Sequence, residues 1–221
     1  CLRNQFENIA WIEESGLDAD ALFRELDALM ESGKEESRAV LKAKTFALIC
    51  EKSRIALDKD DIFQDKIFQG VKWGSFIAKQ RNVWEAQIRE KFLKEEVLKL
   101  SAAGDSGSYT AYSDFGHTSP NSKLLLEIGF SGLLDRVNAA AKQDGLSAKQ
   151  KDFYLSCRIA LEGAICFIKR LAAQTEKINK ENATALHHIA EGAPQNTYEA
   201  MQLLIVYFFL HENVQATRVR T

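Results

Sequence analysis

Apolar residues recur at every third or fourth position along most of the chain, which is the spacing of a helix that buries one face. Ser147 with Gln150, and Asn196 with Glu199, have the capping-box spacing that marks the first turn of a helix. Only two prolines interrupt the chain. The pattern therefore predicts a mainly α-helical protein, with helices over residues 19–32, 36–55, 75–100, 121–129, 130–142, 147–179, 183–190 and 198–211.

Two stretches depart from this spacing. Residues 57–71 hold several aspartates and a glycine around short apolar pairs, which predicts a short strand or an irregular buried loop. Residues 101–120 are rich in glycine and serine, but they also hold aromatic residues and a histidine, so we expect a packed loop. Beyond residue 212 the helical pattern gives way to what resembles the start of a strand, and we expect the chain to be a piece of a longer protein.

These elements form one unit over 1–221 in our interpretation, a fragment of a larger domain. Within it we distinguish N-terminal helices over 1–100, the loop over 101–120 and a helical core over 121–221. The helix over 198–211 is apolar nearly all round, so we expect it to lie centrally. In the helix over 147–179, Phe153 begins the predicted buried stripe.

Composition excludes several classes of function. Hydrophobic residues make up 46% of the chain, and the formal net charge is −2. The absence of a basic surplus argues against nucleic acid or an anionic membrane as a partner. The chain opens without a signal-peptide pattern, and its longest apolar run, 203–210, is too short to cross a bilayer. These features predict a cytoplasmic protein.

Few residues suggest metal or nucleophile chemistry. The cysteines form no CxxC pair, and we expect Cys50, Cys157 and Cys166 to be buried free thiols on helices. His187 and His188 resemble a metal pair, but neighbouring helical side chains diverge by about 100°, which favours surface positions. We therefore predict no metal site.

Three segments stand in a fixed order in the second half of the chain. In order and spacing they resemble the N-terminal region of glycyl-radical enzymes of the pyruvate formate-lyase and glycerol dehydratase kind. The resemblance is clearest over residues 110–221. The segments are Gly116-His117-Thr118 followed by Gly129-Phe130 and Gly132-Leu133; Lys151-Asp152-Phe153-Tyr154 followed by Leu161-Glu162-Gly163-Ala164 and Lys169-Arg170-Leu171-Ala172; and Ile189-Ala190 and Pro194 followed by Thr197-Tyr198-Glu199-Ala200-Met201-Gln202.

The resemblance implies a fold and a chemistry. It implies helices around a ten-stranded α/β barrel, a glycine that stores a radical, and a barrel cysteine that uses this radical on a small polar substrate. It further implies an anaerobic lyase or dehydratase, a homodimer, and an activase that uses S-adenosylmethionine and an iron–sulfur cluster to install the radical. This chain has neither the cysteine nor the glycine in a matching context. We therefore assign no catalytic residue, cofactor-binding residue or metal ligand to it, and expect no activity from this chain alone.

One residue is a candidate for substrate binding. In relatives that dehydrate diols, the histidine of the Gly-His segment lies at the substrate pocket, and the resemblance carries this role to His117. A histidine there can hydrogen-bond a hydroxyl or relay a proton near neutral pH. Alternatively, His117 caps the helix that follows or bonds a backbone carbonyl. The alternative function for the whole chain is a non-catalytic helical binding or regulatory module that retains the family's N-terminal scaffold.

Overall fold

A computed structural model describes residues 14–17, 19–57, 61–64, 94–107 and 120–211. In this part of the chain α-helix dominates, and a pair of two-residue strands, β1 (Glu14–Ser15) and β2 (Ile55–Ala56), is antiparallel. The mainly helical fold class is confirmed. The helices are α1 (Ala19–Ser32), α2 (Arg38–Lys52), α3 (Lys94–Asp105), α4 (Ser122–Ala140), α5 (Ala148–Thr175), α6 (Lys180–Glu191) and α7 (Thr197–Phe209).

The described residues fall into two compact units. Helix α3 belongs to one of them, and the remaining six helices and the strand pair belong to the other. In this six-helix unit, α5 packs against α2, α4 and α6, while α7 packs against α6 and α4. The centre of the unit is therefore α5, whereas the sequence favoured the more apolar α7.

All six helices of the unit contribute buried residues to its core, and α5 does so through its C-terminal half. Ile168 and Leu171 are fully buried there, and the ring of Phe167 stacks on that of Phe209 at 5.8 Å between ring centres. The predicted stripe is wrong at its N-terminal end, because Phe153 is 58% exposed. The spacing of apolar residues identifies a helix face, but it does not show how far along the helix the neighbouring helices reach.

Helix α5 begins as predicted, with a complete capping box. The Gln150 amide donates to the Ser147 hydroxyl at 3.3 Å, and the Gln150 side chain accepts from the Ser147 amide at 3.0 Å. The helix ends at Thr175 instead of residue 179, because Asn179 is the N-cap of the next helix. Its side chain accepts from the amide of Asn182 at 3.1 Å.

The predicted break between the helices over 121–129 and 130–142 is confirmed at Gly129. Its φ of 66° and ψ of −178° are not helical, although helix continues on both sides within α4. A Cβ at this position would clash with the carbonyl oxygen of Gly192, so only glycine allows this approach.

Three further predicted boundaries are wrong. Helix α6 begins at Lys180 instead of residue 183. Helix α2 ends at Lys52, and Ile55 lies in β2, where it pairs with Ser15 instead of continuing the helix. Helix α3 continues to Asp105, five residues into the stretch predicted as a loop, since Ala102 and Ala103 are good helix formers. Residues 61–64 are irregular, in agreement with the predicted loop, but of these four residues only Gln64 is buried, and Ile62 is 70% exposed. The rest of the predicted loop and most of the helix predicted over 75–100 lie outside the described residues.

Candidate functional site

The candidate substrate-binding residue, His117, lies outside the described residues. The nearest described feature is the start of α4, where the Asn121 side chain accepts from the amide of Leu124 at 3.1 Å. Asn121 therefore fills the N-cap position that was one alternative role for His117.

A short irregular segment, residues 61–64, is hydrogen-bonded to polar side chains of α6 and α7. The Ile62 carbonyl accepts from the Tyr198 hydroxyl at 2.8 Å and from the Asn182 amide group at 3.2 Å. The rings of Phe63 and Tyr198 stack with their centres 5.2 Å apart. The segment is thus held by bonds to its backbone and by one aromatic contact.

The same segment is held from its other end by Gln202 of α7. The Gln202 side chain accepts from the Gln64 amide at 3.1 Å and donates to the Gln64 carbonyl at 2.8 Å. Both residues are almost fully buried, at 0% and 1% exposure. A glutamine amide can satisfy one backbone donor and one acceptor at once, which is why a polar residue is accommodated inside this apolar helix face.

A second polar cluster surrounds Glu199 at the turn between α6 and α7. This carboxylate is 4% exposed and accepts from the Gln195 amide at 2.8 Å, the Asn196 side chain at 3.0 Å and His188 Nδ1 at 3.0 Å. Burial raises the pKa of the Glu199 carboxyl, but the bonds from Gln195, His188 and Asn196 outweigh it, so that the pKa lies below its usual value. These hydrogen bonds join the end of α6, the turn and the start of α7.

Helices α2 and α5 meet at a glycine and an arginine. A Cβ on Gly163 would lie 2.8 Å from the Ala47 Cα, so the two helices approach as closely as glycine permits. About two turns further along α5, the Arg170 guanidinium donates to the carbonyls of Cys50 at 2.7 Å and Ser53 at 2.6 Å. Arg170 thereby satisfies carbonyls that the end of α2 leaves without helical partners.

The three described cysteines are free, as predicted, but only Cys50 is fully buried. Cys157 and Cys166 are partly exposed, which corrects the expectation of burial. Burial raises the pKa of all three thiols; at Cys50 the nearby Cys166 raises it further, and Arg170 opposes the rise. At neutral pH these residues are thiols, not thiolates, so none resembles an activated nucleophile.

A groove of about 440 Å³ runs beside the exposed side of α5. It is lined mostly by apolar atoms of α4 and α5, with Glu162 and Lys169 at its polar edge and Cys166 on its wall. In the described part of the chain no cluster of three histidine, cysteine or acidic side chains has the arrangement of a metal site. Within the same residues, no helix is both long and apolar enough to cross a bilayer.

The structure gives the two adjacent histidines different surroundings. Both histidines are exposed on α6, as predicted, but His188 also contacts the buried Glu199.

The sequence predicted a capping box of Asn196 with Glu199, and the Asn196 side chain does accept from the Glu199 amide at 2.9 Å. The Glu199 carboxylate, however, accepts from the backbone amide of Gln195 instead of that of Asn196. The polar roles of Gln202 and Arg170 were not predicted. A signal was nevertheless present, since a glutamate and a glutamine on the face of a strongly apolar helix need buried partners.

The sequence of this chain is similar to that of known proteins. The family described as pyruvate formate lyase-like matches residues 76–218. A (2S)-3-sulfopropanediol dehydratase from Klebsiella oxytoca is 32% identical over 108 residues, which cover 42% of this chain and 13% of that enzyme.

Solved structures share the fold at low sequence identity. The glycerol-bound B12-independent glycerol dehydratase from Clostridium butyricum is 14% identical with a TM-score of 0.61, over 86% of this chain and 31% of that one. A glycyl radical enzyme from Archaeoglobus fulgidus is 15% identical with a TM-score of 0.58, over 91% and 33%. A protein of 1,2-propanediol dehydration in Roseburia inulinivorans is 15% identical with a TM-score of 0.56, over 91% and 34%. The chain thus spans about a third of the length of these structures.

Proposed function

Because the chain belongs to the pyruvate formate lyase-like family, we propose that it is the N-terminal helical part of a glycyl-radical lyase or dehydratase. In this proposal the chain is one part of a larger domain built on a ten-stranded α/β barrel. The barrel cysteine and the radical-bearing glycine come from outside these residues, and a homodimer and an S-adenosylmethionine-dependent activase complete the system. This chain alone is then inactive.

One observation supports this role above others. The segments that resemble the family contain residues that make close contacts between elements. Gly129 and Gly163 allow close backbone approach at the break in α4 and between α2 and α5. Arg170 hydrogen-bonds α5 to the end of α2, and Gln202 hydrogen-bonds α7 to the segment 61–64. A chain that keeps these residues keeps the geometry of the scaffold. It is on this scaffold that we expect the remainder of the enzyme to assemble.

Within the family, dehydration of a small diol is the reaction that we favour over carbon–carbon cleavage. The relative with 32% identity is by name a dehydratase of a substituted propanediol. The glycyl radical, when present, would supply the abstraction of a hydrogen atom from a substrate carbon. The part that we propose for this chain is to hold His117 near the substrate, where its imidazole orients a hydroxyl group or moves a proton.

A non-catalytic helical module is the second candidate. The observation that favours it is that the six-helix unit has a buried core of its own, in which Ile168, Leu186 and Leu203 are fully buried. Such a module would bind or regulate a partner on the same scaffold, without need of a radical.

Substitution of His117 tests the proposed role in substrate binding. In a polypeptide that joins this chain to the barrel cysteine and the glycine, His117→Ala should lower diol dehydration by roughly 10²-fold, the scale for losing an acid–base group. Radical formation, followed by electron paramagnetic resonance, should be unchanged. His187→Ala removes an exposed histidine of α6 and is the matched control, with activity retained. Equal turnover in both variants would contradict a role for His117 at the substrate.

A further inference from the structure

The two contacts between α2 and α5 define how these helices lie against each other. Gly163 meets Ala47, and Arg170 meets the carbonyls of Cys50 and Ser53. Residue numbers increase in the same direction on both helices, so α2 and α5 run parallel where they touch. The contacts also fix the register of one helix against the other.

In this register, two thiols lie at the same level. Cys50 follows Ala47 by three residues, and Cys166 follows Gly163 by three residues, so each lies about 4.5 Å further along its helix axis. The glycine contact brings the two backbones unusually close one turn before. Arg170, one turn after Cys166, bonds the carbonyl of Cys50 itself. The two cysteines are therefore enclosed between two short contacts of the same pair of helices.

The thiols differ in their access to solvent. Cys50 is 1% exposed, while Cys166 is partly exposed and lines the groove of about 440 Å³ beside α5. A reagent of moderate size that enters this groove reaches Cys166 but not Cys50. Lys169 and Arg170 line the groove together with Glu162, so two positive charges stand against one negative charge, which favours a reagent that carries negative charge. This gives the pair one accessible thiol and one enclosed thiol.

We propose that Cys50 and Cys166 are a thiol–disulfide pair, oxidised by small anionic disulfides of the glutathione kind that enter the α5 groove. The Cys166 thiolate attacks the reagent, one sulfur–sulfur bond forms at Cys166, and one reagent thiolate leaves. The Cys50 thiolate then attacks the mixed disulfide at Cys166 and releases the second reagent thiolate. The protein loses two protons and two electrons, and the reagent disulfide leaves as two thiols.

Two consequences follow from this chemistry. Both thiols have pKa values above the usual range, so the linkage forms faster at mildly alkaline pH than at neutral pH. The new bond joins α2 to α5 across 116 residues of chain, a long loop whose closure restricts the unfolded state. Oxidation should therefore raise the temperature of unfolding, and reduction should reverse the rise.

A pair of double variants tests the proposal in the full chain. Cys1→Ser with Cys157→Ser leaves only Cys50 and Cys166 out of four cysteines. After incubation with oxidised glutathione, we expect both remaining thiols to be lost and a linked peptide pair to be found by mass spectrometry. In the control, Cys1→Ser with Cys50→Ser leaves Cys157 and Cys166, which lie about 13 Å apart along α5 and cannot be bridged. We expect no internal disulfide there.

Other outcomes would overturn the proposal. Retention of glutathione on Cys166 with Cys50 still free after unfolding would show that the two thiols do not reach each other. Loss of thiols through dimers on a non-reducing gel would show that Cys166 reacts between molecules. No reaction in a chain with unchanged circular dichroism would show that the groove does not admit the reagent. Each result is independent of whether the chain belongs to an active dehydratase.

Discussion

Substitution of Gly163 by alanine tests the close approach between α2 and α5. A Cβ at this position would lie 2.8 Å from the Ala47 Cα and 3.0 Å from the Ala47 Cβ. Unstrained carbon atoms pack at about 3.5 to 4.0 Å, so the helices would have to separate by roughly 0.7 Å. Overpacking of this kind costs about 1 to 3 kcal/mol, whereas alanine gains about 1 kcal/mol in helix propensity over glycine.

The expected result is a net loss of about 1 kcal/mol in the free energy of unfolding, because the steric cost outweighs the gain in propensity. Urea denaturation followed by circular dichroism measures it. The control is Gly104→Ala in α3, where the new Cβ would meet no atom within 4 Å and stability should stay equal or rise. If Gly163→Ala were as stable as Gly104→Ala, the close contact and the register built on it would be refuted.

Two further substitutions test the polar contacts that hold the helices. Arg170→Lys should lower the free energy of unfolding by about 1 to 3 kcal/mol, because lysine lacks the planar fork with which arginine bonds both carbonyls at the end of α2. The control is Arg158→Lys at an exposed position of α5, which should change the free energy of unfolding little in the same urea titration. No difference between these two variants would contradict the capping role. Glu199→Gln should destabilise the chain near pH 7, because the ionised carboxylate stabilises the folded state when its pKa there is lowered. This contribution is complete above the pKa of an unfolded glutamate, about 4.3, and is lost as the pH falls through the folded-state pKa. The difference in stability between the variant and the unchanged chain should therefore shrink below about pH 4.3. A deficit that stayed constant down to acid pH would show that the charge of Glu199 contributes nothing.

Local rules predicted the helix starts and breaks best, because these depend on a few neighbouring residues. The capping box at Ser147 and the break at Gly129 both follow from side-chain bonding and backbone freedom within one turn. The end of α3 was placed too early because glycine and serine were read as loop residues. In fact Ala102 and Ala103 continue the helix up to Asp105.

Tertiary contacts were beyond the reach of the sequence pattern. Phe153 has helical apolar spacing but is exposed, because the burial of α5 depends on where other helices end. The bond between Gln64 and Gln202 joins residues 138 positions apart, and no periodicity in the chain indicates it. The family resemblance named the segment that contains Gln202, but only the structure shows that this residue binds the backbone of Gln64.

Electron paramagnetic resonance under strict anaerobiosis tests the central claim most directly. The activase and S-adenosylmethionine are added either to this chain alone or to a polypeptide that joins it to the barrel cysteine and the radical-bearing glycine. We predict a glycyl-radical signal, together with dehydration of a small diol, only from the longer polypeptide. A glycyl-radical signal from the 221-residue chain by itself would contradict the assignment of this chain as a helical part that depends on residues outside it.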